Sequence, residues 1–296
     1  ISRLSALVNS FLNITRLQTG NQALEISNFD INEIIRRTLV GFENKIKKKS
    51  LIIKSKKMIS ENEAFEVASE YLKKKYKVSE EDLLSAELEI VPAGMPRYVG
   101  LDESLIAGYG HDDRVCAYPA LTALFEMDEI PPKTAVCILT DKEEIGSVGA
   151  TGMHSQFFEN MVAELLAMTE GDSQLLLRRA LMNSRMLSSD VSAGFDPLYA
   201  SVFEKKNAAF LAKGVTFNKY TGSRGKSGSN DATAEYIADL RRVMDEAGVR
   251  YQFAELGKVD VGGGGTIAYI MALYGMEVID CGVAVLNMHA PWEIVS

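Results

Sequence analysis

Cysteine is too scarce in this chain for a disulfide frame. Only Cys116, Cys137 and Cys281 occur among 296 residues, widely spaced and set among apolar neighbours. An odd, scattered set of this kind reads as buried thiols of a reducing compartment, which points to the cytoplasm and excludes a cysteine-rich zinc site. No apolar run is long enough to span a bilayer, no signal peptide is visible, and no internal repeat emerges. There is no surplus of positive charge either. The formal net charge of −8 gives nucleic acid no basic face to bind and discourages contact with anionic membranes. Histidine is also rare, with none before His111. What remains, 47% hydrophobic and 24% charged residues, suits a globular protein with a sizeable core.

One short stretch raises a chemical question. In "LTDKEEIGSVGA", residues 139–150, an apolar run from Thr134 to Thr140 ends in Asp141, Lys142, Glu143 and Glu144. Adjacent carboxylates repel and are costly to desolvate, so either water or a bound cation must compensate them.

The pattern along the chain changes near residue 58. Before it, Leu4, Leu7, Val8, Phe11, Ile14 and Leu17 form one helical stripe, and Ile31, Ile34, Ile35, Leu39, Phe42 and Ile46 form a second, with Asp30 as its N-cap. Seven lysines between Lys45 and Lys57 read as a solvated face or linker. After it, "SENEAFEVASEYLKKKY" reads as a helix with a capping box of Ser60 and Glu63. "SAELEIVPAG" and "PKTAVCILT" read as strands, the second of them buried. Helices follow at "DRVCAYPALTALFEM", "FFENMVAELLAM" and "NDATAEYIADLRRVMDEAG", with strands at "VRYQFAEL" and "MEVIDCGVAV". Alternating strands and helices predict an α/β fold, a layered α/β/α domain with a mostly parallel mixed sheet, preceded by a helical segment.

Ligands of such sheets gather at the carboxyl ends of strands, and several acids fall there. "GYGHDDRV" places Asp112 and Asp113 before a helix, "LTDKEEIGS" places Glu143 and Glu144 after a strand, "MLSSDVSAGFDP" places Asp190, and "AVLNMHAPWE" places His289. Carboxylates and one imidazole from four strand ends are the donor set that a pair of borderline divalent ions needs.

In this order, "GHDDRV", "DKEEIGSVGATGMHS", "SSDVSAGFDP", "GSNDA", "VGGGGTIAY" and "NMHAPWE" resemble the aspartyl aminopeptidase / aminopeptidase I family of dinuclear metallopeptidases, over residues of about 60–296. The resemblance implies a metal-dependent aminopeptidase that releases N-terminal residues, acidic ones among them, from peptide substrates. It implies two divalent ions, zinc first and cobalt or manganese as alternatives, and a homo-oligomer. Carried over by motif, Asp112 bridges the metals, Glu143 is the general base, Glu144 and His289 bind the second metal, and Asp190 binds the first. His111 and His154 lie beside matched motifs without an assigned role, and Lys219, Arg224 and Lys226 are candidates to receive an acidic side chain or peptide terminus.

The chain also departs from that family. The early His-x-Asp motif that completes the first metal site is missing, and residues of about 79–105 are all that corresponds to the family's inserted β-rich domain. The chain stops at Ser296, where the family adds a closing helix. Residues 58–296 are therefore expected to be an incomplete catalytic domain. Residues 1–57 instead resemble the end of the dimerisation helix pair of sensor histidine kinases, running into the start of their ATP-binding domain. The phospho-accepting His and the ATP-binding boxes are absent. Two rival readings follow: a catalytically silent metal-binding or assembly subunit, and a signalling fragment.

Overall fold

The computed structural model describes residues 61–87 and 91–296. The two helical stripes of residues 1–57 and the N-cap expected at Ser60 lie outside the described residues. The chain divides into two compact units after Met95.

In the first unit α1 spans Glu61–Tyr76 and α2 spans Glu80–Ser85. Ser79 starts α2 with a capping box: its hydroxyl accepts from the Asp82 amide at 3.1 Å while its own amide donates to Asp82 Oδ2 at 2.7 Å. The strand predicted for residues 85–94 is therefore not formed where the chain is described. Ser85 closes a helix, and residues 86–87 and 91–96 are irregular. Pro92 and Pro96 have no amide N–H to give a ladder, which disfavours a strand there.

The second unit opens with β1 (Arg97–Val99), β2 (Leu105–Gly108) and α3 (His111–Phe125). It continues through α4 (Phe157–Thr169), α5 (Gln174–Met182), β3 (Arg185–Ser188), β4 (Ser192–Ala193) and β5 (Val215–Asn218). Then come α6 (Ala234–Ala247), β6 (Tyr251–Ala254), α7 (Ala268–Ala272), β7 (Glu277–Gly282), β8 (Ala284–Val285) and β9 (Glu293–Val295). The central sheet has the order β3-β7-β5-β6, with β3–β7 and β5–β6 parallel and β5–β7 antiparallel. A separate antiparallel sheet runs β1-β2-β9. The mixed, largely parallel pairing is the arrangement the sequence predicts.

Strand alternation explains the layering. Successive side chains of β7 point to opposite faces. Ile279 and Cys281 pack with Phe217 and with Tyr236, Ile237 and Leu240 of α6. Val278 faces the other way, against Leu177 and Leu181 of α5, Ile270 and Met271 of α7, and flanking residues of α4. The sheet is thus clad by helices on both faces, and each large apolar side chain buried there contributes roughly 1.5–3 kcal/mol.

A second predicted strand is also absent. Residues 132–140, read as a buried strand, form no ladder, and Val136 and Leu139 are each 50% exposed. Apolar residues favour extended backbone, but a strand exists only where an edge supplies hydrogen-bond partners. No described strand pairs with this segment. No helix among the described residues is long and apolar enough to cross a membrane.

Candidate metal centre

The pairs β3–β7 and β4–β8 share one register: Arg185 faces Glu277 and Ser192 faces Ala284 at the same offset. They are a single parallel ladder interrupted around Asp190, which lies opposite Gly282. The interruption frees the Asp190 carboxylate from strand geometry. Its carbonyl leans so far into Gly282 that an added Cβ there would lie 1.8 Å from the oxygen.

Asp112 and Asp113 follow β2 through Gly110, which adopts φ +74°. Both sit in the first turn of α3 with non-helical dihedrals (Asp112 φ −79°, ψ 106°; Asp113 φ −121°, ψ 38°), so they stand apart from the regular helix behind them. Glu143 and Glu144 open a 3₁₀ turn, Glu143–Ile145. The turn is closed by Gly146 N–H to the Glu143 carbonyl at 2.8 Å and Ser147 N–H to the Lys142 carbonyl at 2.7 Å. Asp141 braces this loop: it accepts from the Thr151 hydroxyl at 3.2 Å and pairs with Lys142 at 3.3 Å. His289 lies in the loop between β8 and β9, with φ +66°.

These loops bring the acids together. His289 Nε2 lies 3.1 Å from Asp112 Oδ2 and 3.1 Å from Glu144 Oε2. A second group joins Asp112, Asp113 and Asp190, with ligand atoms within 4.8 Å of one another, and Asp112 belongs to both groups. Burial, then the charge of Glu144, pushes the Asp112 carboxyl up to about 7. Burial pushes Asp113 up to about 6. Burial and then the charges of Asp113 and Asp112 push Asp190 up to about 9. Burial beside Glu144 also raises Glu143.

These residues fit divalent cations. Among the described residues no lysine or arginine pairs with Asp112, Asp113 or Asp190, and Asp113 Oδ1 is buried without a hydrogen-bond partner. Ligands about 2.0–2.2 Å from a tetrahedral zinc ion stand about 3.3–3.6 Å apart, close to the two 3.1 Å separations at His289. In each of the groups Asp112–Glu144–His289 and Asp112–Asp113–Asp190 the ligand atoms lie close enough to hold a cation, and Asp112 is common to both.

The structure thus brings together Asp112, Glu144, His289 and Asp190, with Glu143 one residue from Glu144. Sequence reasoning left Asp113 without a role, and the structure places it in the second group. His111 is outside both groups, its Nε2 buried and unpartnered. His154 is exposed, its Nε2 2.8 Å from the Tyr269 hydroxyl. Lys219 pairs with Asp231 and Lys226 with Asp260, so two of the three candidate cations are already neutralised at the surface. Two buried acids went unnoticed in the sequence. Asp280, in β7, accepts from the Thr266 hydroxyl at 2.6 Å and is pushed up to about 6 by burial. Glu293, 2% exposed, receives two backbone amides at the centre. An acid inside an otherwise apolar strand was the available signal.

A protein-family model described as "Aminopeptidase I zinc metalloprotease (M18)" matches residues 21–296. That match begins inside the segment read as kinase-like, and the comparisons give the kinase reading no support. The probable M18 family aminopeptidase 1 of Clostridium acetobutylicum is 64% identical over 225 residues, 76% of this chain and 48% of the relative. Its namesake from Thermotoga maritima is 49% identical over 226 residues, 76% of this chain and 50% of the relative. The crystal structure of aminopeptidase I from Clostridium acetobutylicum matches with a TM-score of 0.71 and 59% identity, covering 82% of this chain and 52% of that one. The chain spans about half the length of the curated relatives it matches. On the family match and these identities, the chain belongs to the M18 family of aminopeptidase I zinc metalloproteases.

Proposed function

We propose that this chain carries the catalytic site of a metal-dependent aminopeptidase that hydrolyses N-terminal residues from peptides, acidic ones among them. The observation that carries the reading is Asp112, the one carboxylate common to both ligand groups. In this reading Asp112 would be the ligand common to two sites, with Glu144 and His289 to hold one ion and Asp190 with Asp113 to hold the other. Zinc is the first choice, with cobalt or manganese as alternatives. Divalent ions held by these residues would supply Lewis-acid chemistry, easing loss of a proton from water and polarising the scissile carbonyl.

Glu143 then acts as general base: it takes a proton from the attacking water and hands it to the leaving amine. Its half-buried position and raised pKa support that role, since a carboxylate that holds a proton more firmly accepts it more readily at neutral pH. The catalytic segment in this proposal is residues 58–296, with about 79–105 as the remnant of an inserted domain. A reducing, cytoplasmic setting is supported by three free thiols. Homo-oligomerisation belongs to the same proposal.

The test is zinc content and turnover of an amino-acyl chromogenic substrate panel, acidic residues included. Wild type should hold two equivalents and turn over. Glu143→Gln should keep both ions and lose at least about 100-fold in rate, because a positioned base contributes about 10²–10⁴-fold. Zinc bound without turnover in wild type would favour the silent subunit instead.

A further inference from the structure

We propose that Glu293 is a positioning residue of the centre, a single carboxylate that ties the backbones of Asp112 and His289 to one another. This inference rests on the metal reading above. Glu293 opens β9 and faces Gly108 in the register with β2, which places it beneath both ligand loops. Its Oε2 accepts the Asp112 amide at 3.0 Å and its Oε1 accepts the His289 amide at 2.8 Å. The two ligands come from opposite ends of the unit, and their side chains meet at 3.1 Å.

The tether has work to do at His289. Its φ of +66°, with Asn287 at +57°, is a left-handed conformation that residues with a Cβ adopt at a cost. A carboxylate bond to the amide opposes relaxation of that loop. Among the described residues no lysine or arginine pairs with Glu293, which is 2% exposed. Its buried charge is met by two amide dipoles and adds to the negative field of the neighbouring carboxylates. A cation at the centre is favoured by that field, and groups that hold metal ligands in place are worth about 10–100-fold in affinity.

Glu293→Gln separates this role from plain packing. The glutamine keeps the shape but has one acceptor oxygen, so either orientation leaves one of the two amides facing an NH2 donor. Val295→Ala, in the same strand and 3% exposed in the parent, loosens β9 without touching either amide. Amide hydrogen exchange of the metal-free full chain, zinc affinity, and the visible spectrum of the cobalt-loaded chain are measured on all three proteins. The expected result for Glu293→Gln is exchange at Asp112 or His289 at least tenfold faster, zinc about 10–100-fold weaker and a shifted cobalt band, with Val295→Ala like wild type in each. Wild-type exchange and zinc affinity in Glu293→Gln overturn the proposal. So does equal weakening in both variants, which would make strand stability the cause. Freed amides in Glu293→Gln with no zinc bound even by wild type would keep the tether and discard the metal reading.

Discussion

Gly282→Ala is the sharpest single perturbation of the ladder that carries Asp190. A Cβ built on Gly282 lies 1.8 Å from the Asp190 carbonyl oxygen, 2.6 Å from its carbonyl carbon and 3.0 Å from Cys116 Sγ. To reach even 3.0 Å from the oxygen, backbone must separate by about 1.2 Å. The clash is with main chain on one side and a buried thiol on the other, so no side-chain rotation relieves it. Overpacking of this kind costs about 1–3 kcal/mol, and urea unfolding of the metal-free protein reads it directly. The second consequence is chemical. Asp190 moves with its carbonyl, and displacements near 1 Å can cost about 100-fold where geometry matters. Zinc titration should therefore show the ion of Asp112, Asp113 and Asp190 lost first, with the ion of Glu144 and His289 retained. Wild-type stability together with two wild-type zinc equivalents would refute the close approach and the assignment of Asp190.

The other predictions address separate layers of the structure. Asp280 is pushed from 3.8 up to about 6 by burial, so its folded pKa lies above its unfolded one, and the stability tied to its proton is present below about pH 4 and lost as pH rises through about 6. In the metal-free protein Asp280→Asn should gain on wild type by about 2 kcal/mol between pH 4 and pH 7, read by urea unfolding; a pH-independent difference would contradict the burial. Glu144→Ala should remove the ion shared with His289 and leave about one zinc per chain by elemental analysis, whereas two retained equivalents would remove Glu144 from the site. Thr233 caps α6 by accepting the Tyr236 amide at 3.3 Å and also bonds Glu277, so Thr233→Ala should cost about 1 kcal/mol or somewhat more in urea unfolding. Cys137 should react with a thiol reagent before Cys116 and Cys281, because burial pushes Cys281 up to about 12 and Cys116 higher still; mass spectrometry of the labelled protein would identify the order.

By itself the sequence determined what local rules can determine. The helical stretches read at 157–168 and 230–248 correspond to α4 and α6, because helix-forming composition is readable over one segment, while the structure starts α6 only after its cap at Thr233. The motif order marked Asp112, Glu143, Glu144, Asp190 and His289 as one constellation. Local rules failed where the deciding partner is remote. Residues 132–140 have strand-like composition but pair with no described strand, and residues 85–94 begin as the end of a capped helix. The centre itself was decided by tertiary structure. Only the folded chain lets Asp112 serve both ligand groups, brings Asp113 into one of them, and turns Asp190 out of a broken ladder against Gly282. Glu293 shows the reason most plainly. His289 stands only four residues before it, but its other amide partner, Asp112, lies 181 residues away and reaches the same carboxylate through the β2–β9 pairing, a contact that no window along the chain contains.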